Sequence, residues 1–466
     1  MQTDRNNFKD SLSWNLTNSK TSPEPVLTQF GDDRKGRMGS SMNKLIEELS
    51  WRGMIRDIMP GTEEQLNKEM TSGYVGFDPT ADSLHIGSLV PILLLVHLQR
   101  NGHKPVALIG GATGMVGDPS GKSEERNLLD EATVLKNADG VRRQLEKFLD
   151  FTGKTPNSAE IVNNIDWFRD MKFLDFIRDV GKHISVNYML AKDSVKNRLA
   201  GESGMSFTEF TYQLVQGYDF YWLNTYRHCK LQMGGSDQWG NMVTGTELIR
   251  RKSGKEAFAF TCPLITKADG GKFGKTEKGN IWLDPEKTSP YQFYQFWLNA
   301  SDEDASKWIK IFTFRNKEEI ETLLKQHDSD PGARKLQKAL AEDLTIFVHG
   351  KEEWLKALET TEKLFSAQTP AEALTEEELS SIEGIIQCVF PAEEINHGAD
   401  PLHFLSTTGI FASKGEARKM IQNGGVSINR KKLPDTETKI DTSMLLHEKF
   451  ILVQKGKKNY YLVTVQ

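Results

Sequence analysis

Hydrophobic residues follow two alternating patterns between about positions 74 and 251 of this chain. The short apolar runs GYVGFDPT (73–80) and KPVALIGG (104–111) each end in glycine or proline, as strands that lead into turns do. Between them, GSLVPILLLVHLQRNGH predicts a helix that ends at Asn101-Gly102. A strand, a helix and a strand at this spacing predict a βαβ unit, and therefore a parallel sheet with right-handed crossovers.

The pattern changes along the rest of the chain. Residues 130–198 are mostly helical in period, and we expect them on the flank of the sheet or at a subunit contact. The stretch KLQMGGSDQWGN (230–241) predicts a further strand and glycine turn. From about residue 289 to 367 the pattern is helical, and an acidic, alanine-rich stretch leads to a basic part with short strands after about residue 400.

These patterns predict an α/β fold class with a Rossmann-like parallel-sheet domain, an α-helical domain and a small α+β domain. We expect a poorly ordered N-terminal extension over 1–41, because it is polar and lacks periodic apolar positions. Its acidic residues argue against a transit peptide, so a tail or a mis-assigned start is preferred. Met42 opens an amphipathic helix pattern. The predicted domains are 42–288 with a helical insertion, 289–385, a linker over 386–400, and 401–466.

Composition narrows the class of protein. The 466 residues are 38% hydrophobic and 26% charged, which is typical of a globular protein with a real core. The net charge of −5 argues against a global basic field for nucleic acid, although a local basic face is compatible with it. Cys229, Cys262 and Cys388 are scattered, which argues against disulfides or a zinc site and predicts a reducing, cytoplasmic location. The longest apolar run is far shorter than the roughly 20 residues that span a membrane, so we expect no membrane partner.

Three glycine-rich turns follow predicted strands, and ligands of such sheets bind at the carboxyl ends of strands. The first turn, GFDPT (76–80), precedes the helix start LHIGS (84–88). Glycine permits close approach of a ligand, and a helix N-terminus attracts phosphate. His85 could donate hydrogen bonds to that phosphate, and the alternative is a helix-capping histidine.

The second turn, GGATGMVGDPSGKS (110–123), ends like a Walker A loop but is not one. The pattern G-x-x-x-x-G-K requires glycine where Val116 stands. The stretch instead offers Asp118, Lys122 and Arg126 at four-residue spacing, which is one face if the segment is helical. The acid suits an ammonium group and the bases suit a polyphosphate. The alternative is a solvated charged face.

The third turn and a lysine-rich loop complete the candidate site. In GGSDQW (234–239), Asp237 suits a ribose hydroxyl, and the alternative is a turn capped by that aspartate. The stretch KADGGKFGKTEKGN (267–280) predicts a mobile basic loop in which Lys272, Lys275 and Thr276 could clamp a triphosphate, or else a solvated hairpin. The sequence contains no Ser-His-Asp constellation and no metal-ligand cluster. It therefore favours a catalyst that positions reactants and stabilises charge.

Taken together, these stretches resemble the bacterial-type tyrosyl-tRNA synthetases, a class I aminoacyl-tRNA synthetase family. YVGFDPTADSLHIGS is similar to the family's HIGH region and KFGKT to its version of the KMSKS loop. GGATGMVGDPSGKSEER, SFTEFTYQLVQGYDF and LQMGGSDQWGN resemble the other active-site blocks. SKGEARKMIQNGGVSINRKKL resembles an S4 RNA-binding domain, and the likeness runs from about Met42 to the C-terminus.

The resemblance implies an activity and its partners. L-tyrosine and ATP, with accompanying Mg²⁺ and no protein-bound metal, would give tyrosyl-adenylate and pyrophosphate. Tyrosine would then pass to the 3′ end of tRNA(Tyr), and we expect a homodimer. Region 42–288 would be the catalytic domain, 289–385 would contact tRNA, and 401–466 would be the S4-like RNA-binding domain.

The resemblance also implies residue roles. The tyrosine-binding set is Tyr74, Asp118, Tyr212, Gln216, Asp219, Gln232 and Gln238. The ATP-binding set is Gly76, Asp78, Thr80, His85, Gly87, Ser88, Gly235, Asp237 and Lys275. The catalytic set is His85, Lys272, Lys275, Thr276, Lys122 and Arg126. The RNA-binding set is Arg418, Lys419, Arg430, Lys431 and Lys432.

One position departs from the family pattern, and two other interpretations remain open. Ser88 stands where the HIGH motif has its second histidine, so the adenosine or phosphate contact there is in question. A tryptophanyl-tRNA synthetase is the nearest alternative, although its pocket would not need both Tyr74 and Asp219. An RNA-binding protein without catalysis is the other alternative, and the lysine loop together with His85-Ile86-Gly87 argues against it.

Overall fold

The computed structural model describes residues 43–118, 129–201, 204–271, 273–276, 279–365, 370–376, 379, 385–456 and 459–466. The predicted extension over 1–41 lies outside these residues. Across the described ranges, every helix is too short or too polar to cross a bilayer.

The first domain contains a parallel sheet, its flanking helices and a two-stranded hairpin. Its strands are β1 Ser72–Phe77, β2 Lys104–Ile109, β3 Glu160–Asn163, β4 Cys229–Gly235, β5 Phe258–Cys262, β6 Lys275–Thr276 and β7 Gly279–Asn280. Its helices are α1 Lys44–Trp51, α2 Thr62–Lys68, α3 Leu89–Arg100, α4 Thr113–Val116, α5 Glu131–Leu145, α6 Ile165–Phe168, α7 Phe173–Asp179, α8 Val186–Leu190, α9 Asp193–Leu199, α10 Phe207–Arg227 and α11 Trp239–Ser253.

The second and third domains follow in order. The helical domain contains α12 Pro290–Leu298, α13 Asp302–Phe312, α14 Lys317–Ser329, α15 Lys335–His349 and α16 Lys351–Phe365. The last domain contains β8 Ile386–Phe390, α17 Ala392–Asn396, α18 Pro401–Thr407, α19 Lys414–Gln422, β9 Val426–Ile428, β10 Lys431–Lys432, β11 Phe450–Lys455 and β12 Asn459–Val465.

The sheet of the first domain has the order β3-β2-β1-β4-β5, and its strands are parallel. This confirms the predicted βαβ unit, in which β1 and β2 pair directly and α3 connects them. The strand order reverses between β1 and β4, so a crevice opens at their carboxyl ends. The three predicted glycine turns all lie at this edge.

Successive side chains of a strand point to opposite faces of the sheet, and here apolar side chains lie on both faces. Both faces are therefore covered by other parts of the chain. Val75 and Phe77 of β1 belong to the same core as α3, whose residues are almost all buried. Tyr74, on the other face of β1, packs with Phe220 and Leu223 of α10. The amphipathic pattern that opens at Met42 forms α1, as predicted.

The segment 130–198 is mostly helical, as predicted, and it also contains β3, which adds an edge strand beside β2. One expectation about the domain boundaries was wrong. Residues 386–400 are not a linker, because β8 pairs in parallel with β12 and α17 follows it. The C-terminal sheet therefore begins at Ile386, in the order β10-β9-β11-β12-β8.

The C-terminal domain packs directly on the helical domain. Four of its buried residues, Leu446, Phe450, Leu452 and Leu462, join the core shared by the first two domains. A separate core holds the rest of the domain together. The last domain is thus seated against the helical domain by apolar contact.

Candidate active site

A cavity of about 280 Å³ opens at the carboxyl ends of β1, β2 and β4, where α10 covers it. It brings together every predicted tyrosine-binding residue, as well as four of the predicted ATP-binding residues. These are Tyr74, Asp118, Tyr212, Gln216, Asp219, Gln232 and Gln238, with Gly76, Asp78, Thr80 and Gly235. The glycine turns thus face one crevice, as their positions after strands predicted.

Helix α10 presents several of these residues on one face. Tyr212, Gln216 and Asp219 are four and then three positions apart, a spacing that aligns side chains along a helix. The helix begins at a capping box in which Ser206 and Glu209 satisfy each other's backbone N–H groups. Glu209 also forms a buried ion pair with Arg198 at 3.1 Å, which ties the start of α10 to α9.

The floor of the cavity is polar and deeply buried. The Asp219 carboxylate accepts hydrogen bonds from Trp167 Nε1 at 2.9 Å and from Asn164 Nδ2 at 3.0 Å. Burial nevertheless raises the pKa of Asp219 to about 8. Among the described residues, the buried Tyr74 hydroxyl and the Gln232 Oε1 have no hydrogen-bond partner. Buried polar atoms without partners are costly, so the floor is suited to a ligand that carries a polar group.

Sequence reasoning missed the two residues that hold Asp219. Asn164 is fully buried and also donates to Thr113 Oγ1 at 3.1 Å, while its own oxygen accepts from Ala112 N at 2.6 Å. Trp167 stacks on Trp222 with ring centroids 4.2 Å apart. The sequence offers little signal for either residue, because β3, which precedes Asn164, contains only two apolar residues, Ile161 and Val162.

Asp78 belongs to the same hydrogen-bond network as the predicted tyrosine-binding residues. Its carboxylate accepts from the Tyr212 hydroxyl at 3.1 Å and from Thr113 Oγ1 at 2.7 Å. Burial, reinforced by the nearby Asp78 carboxylate, raises the pKa of Tyr212 well above its usual range, so its phenol stays protonated. Asp78 thus orients Tyr212 across the cavity.

A second network closes the rim. Gln238 Nε2 donates to Asp118 at 2.7 Å and to Asp237 at 3.2 Å. Asn241, which sequence reasoning also missed, donates to Gln216 Oε1 at 2.9 Å and to Gln238 Oε1 at 3.1 Å. The rim therefore concentrates carboxylates and amide oxygens, which are groups that accept from an ammonium ion.

The LHIGS segment and the lysine-rich hairpin meet beside the cavity. His85 caps a short 3₁₀ turn over Ile86–Ser88, with Nδ1 accepting from Gly87 N at 3.0 Å. Ile86 N donates to Ile281 O at 2.8 Å, which joins the end of the β6–β7 hairpin to this turn. Ser88 precedes α3, and its N–H donates to His85 O at 2.8 Å.

Part of the predicted phosphate-binding set cannot be placed in this geometry. Lys122, Arg126 and Lys272 lie outside the described residues. For Lys275 and Thr276 the structure describes the backbone, which forms β6. Within the described ranges, no three His, Cys, Asp or Glu side chains are grouped so that they could hold a metal ion.

The predicted RNA-binding residues divide into two groups. Arg418 and Lys419 are exposed on α19, and Lys432 is exposed on β10. Arg430 instead donates to the carbonyl of Lys363, in the last turn of α16. Lys431 forms an ion pair with Glu372 at 2.8 Å.

Arg430 also contacts the helical domain through this hydrogen bond. It has a φ of 67° in the tight turn between β9 and β10, and its guanidinium is directed at a helix end whose last carbonyls lack helical partners.

Comparison with known proteins identifies the family to which the chain belongs. Residues 66–366 match the family described as tRNA synthetases class I (W and Y), and residues 386–463 match the tyrosine--tRNA ligase SYY-like C-terminal domain. A tyrosine--tRNA ligase of Parabacteroides distasonis is 59% identical over 424 residues, which cover 90% of this chain and 99% of that protein.

Two further comparisons indicate the same family. A tyrosine--tRNA ligase of Flavobacterium johnsoniae is 56% identical over 91% of this chain and 100% of that protein. The crystal structure of a C-terminally truncated mitochondrial tyrosyl-tRNA synthetase of Aspergillus nidulans is 30% identical, with a TM-score of 0.62 over 69% of this chain and 94% of that one. The chain therefore belongs to the tyrosine--tRNA ligases, within the class I aminoacyl-tRNA synthetases.

Proposed function

We propose that this chain activates L-tyrosine with MgATP to give tyrosyl-adenylate and pyrophosphate, and then transfers tyrosine to the 3′ end of tRNA(Tyr). The observation that supports this amino-acid specificity concerns Tyr74. Its buried hydroxyl has no hydrogen-bond partner among the described residues, and it lies in the same cavity as Asp219. The three cysteines are free, which suits the reducing cytoplasm as the place of the reaction.

The amino acid binds with its phenol at the floor and its ammonium group at the rim. Tyr74 and Asp219 meet the phenolic hydroxyl, and Gln232 lines the pocket beside them. Asp118, Tyr212 and Gln216 surround the ammonium group, and Gln238 holds Asp118 in place at 2.7 Å. This orientation directs the substrate carboxylate toward the His85 and hairpin side of the crevice.

ATP binds along the glycine turns. ATP approaches the protein backbone closely at Gly76, Gly87, Ser88 and Gly235. Its phosphates are contacted by Thr80 and His85. Asp237 accepts a hydrogen bond from a hydroxyl of its ribose. Lys122, Arg126, Lys272, Lys275 and Thr276 face the phosphates. Mg²⁺ accompanies ATP and neutralises part of the phosphate charge.

The activation step needs charge stabilisation more than proton transfer. The tyrosine carboxylate is already ionised, so it attacks the α-phosphorus without a general base. A bond forms from the carboxylate oxygen to phosphorus, and the bond to the bridging oxygen of pyrophosphate breaks. Negative charge grows on the leaving group, where preorganised cations and amides lower the barrier. A ribose hydroxyl of the tRNA end then attacks the acyl carbon, and AMP leaves.

The direct test is amino-acid-dependent exchange of labelled pyrophosphate into ATP. We expect exchange with L-tyrosine, and much less with L-phenylalanine or L-tryptophan at the same concentration. Exchange supported by tryptophan would favour the tryptophan enzyme. Binding of tRNA without exchange for any amino acid would favour an RNA-binding protein that lacks catalysis.

We propose that two basic or aromatic surfaces contact tRNA. One is the exposed α19 pair, Arg418 and Lys419. The other is a groove of about 740 Å³ between the helical and C-terminal domains, lined among others by Gln292, Lys455 and Tyr460. Unstacked RNA bases are recognised by aromatic and amide groups of this kind, and phosphates by the basic ones.

Removing both α19 charges, by Arg418→Ala with Lys419→Ala, is expected to weaken tRNA binding and to leave pyrophosphate exchange unchanged. The plot of log affinity against log salt should become shallower by about 1 to 2, because each phosphate contact contributes about 0.7 to 0.9 to that slope. Titrations at several salt concentrations measure it. Lys68→Ala, an exposed lysine on α2, is the control. An unchanged slope would remove this pair from the interface.

We propose a homodimer whose contact includes α7 and α8. Phe173 and Leu174 of α7 are 65% and 75% exposed, and Val186 of α8 is 58% exposed. Phe173 also lines an apolar groove of about 480 Å³, together with Phe168 and Phe176. Large apolar side chains grouped at a surface mark an interaction site.

Replacing Leu174 with aspartate is expected to convert dimers to monomers, because it buries a charge in an apolar contact. Light scattering after size-exclusion chromatography measures the mass. Leu355→Asp, on α16 and 46% exposed, is the matched control and should leave the dimer intact. A dimer that survives Leu174→Asp, or wild-type protein that is monomeric throughout, would contradict this interface.

A further inference from the structure

The hairpin that carries Lys275 is fastened to the helical domain by an aromatic side chain. The Phe273 ring stacks on Phe312 of α13, with centroids 5.2 Å apart and planes at 16°. Trp308 of the same helix meets it edge-on at 5.1 Å. Phe296 and Trp297 of α12 complete the cluster at 6.1 and 6.0 Å. Offset and edge-on ring pairs of this geometry are favourable beyond their area alone.

The next residue docks on the other side of the crevice. Gly274 has a φ of 77°, and a Cβ built there would lie 2.5 Å from Ile86 Cγ2. Its carbonyl accepts from Ile281 N at 3.1 Å, and Ile281 O accepts from Ile86 N at 2.8 Å. Phe273 and Gly274 therefore fix one point of the hairpin against two domains, immediately before Lys275.

We propose that Phe273 is a positioning residue for activation, which holds the hairpin so that Lys275 faces the phosphates. This rests on the proposed function of the crevice. The aromatic cluster is a firm support, because Trp297, Trp308 and Phe312 are buried in the main core. A cation that is held in place before the reaction stabilises charge without an ordering cost at the transition state.

The first test compares Phe273→Ala and Phe273→Leu with wild type. Phe273→Ala is expected to slow adenylate formation by about 10- to 100-fold, the range for a misplaced catalytic group, and to raise KM for ATP. The tyrosine Kd should not change, and Phe273→Leu should recover part of the rate. Phe314→Ala is the matched control, since Phe314 is a half-buried ring of the helical domain that packs on His97 and Phe347.

The second test separates positioning from a general structural effect. Phe273→Ala is measured in the Lys275→Ala background. If Phe273 acts by placing Lys275, its loss costs at least several-fold less there than in wild type. An equal loss in both backgrounds, or no loss from Phe273→Ala in wild type, overturns the proposal. Wild-type protein that shows no tyrosine-dependent pyrophosphate exchange would instead overturn the proposed function, so the two failures are distinct.

Discussion

Lys275→Ala is expected to slow tyrosyl-adenylate formation by about 10²- to 10³-fold, the cost of losing one preorganised charge-stabilising group. Lys275 opens β6, and the hairpin is joined to the His85 turn through Ile86 and Ile281. In the proposed site this hairpin faces the phosphates, whereas Asp219 lines the amino-acid cavity. The tyrosine Kd should therefore stay nearly unchanged.

Single-turnover kinetics of adenylate formation and equilibrium dialysis of tyrosine measure the two quantities separately. The matched control is Lys255→Ala, which removes an exposed lysine just after α11 and should alter neither. A collapse of tyrosine affinity in Lys275→Ala would show that the hairpin supports the amino-acid pocket, and the assignment of this lysine to the phosphates would be wrong.

The sheet was predictable where hydrophobic runs are long and end in glycine. β1 and β2 each have a buried run of apolar residues that ends at such a turn, and α3 between them is buried on nearly all sides. The helical domain was predictable for a similar reason, because α12 to α16 keep one period over many residues. In both cases local pattern and tertiary packing require the same element.

The elements that were missed depend on partners distant in sequence. β3 is four residues long and half-buried, and it exists because β2 offers an edge to pair with. β8 exists because β12, about seventy residues later, offers a parallel edge. Such pairing leaves little trace in the strand's own sequence, since context decides strand formation more than propensity does.

The site shows the same division. Asp118 and Asp237 could be predicted as site residues, because each is an aspartate in a glycine-rich turn that follows a strand. Asn164 and Asn241 act through other side chains, by holding Asp219 and Gln216, and a lone asparagine carries no such signal. Arg430 lies in a basic run, and nothing in that run indicates its hydrogen bond to the carbonyl of Lys363 in α16.

Discrimination between tyrosine and phenylalanine depends on one hydroxyl, and the floor of the crevice is suited to receive it. The Tyr74 hydroxyl is buried and has no partner among the described residues. Asp219 is held by Trp167 and Asn164, and burial raises its pKa to about 8. In the proposed binding mode, ionised Asp219 would accept a hydrogen bond from the phenol, and neutral Asp219 could also donate one. Phenylalanine would leave these groups buried without that partner.

Tyr74→Phe is therefore expected to narrow the preference for tyrosine over phenylalanine. A buried polar group left unpaired costs about 1–3 kcal/mol, which corresponds to roughly 5- to 160-fold. The variant removes this penalty for phenylalanine, and it also removes a hydrogen bond to tyrosine. The measurement is the ratio of kcat/KM for the two amino acids in pyrophosphate exchange. Tyr226→Phe, at a tyrosine that is 58% exposed, controls for loss of a hydroxyl elsewhere on the domain. If the ratio is the same in Tyr74→Phe as in wild type, Asp219 discriminates without the help of Tyr74.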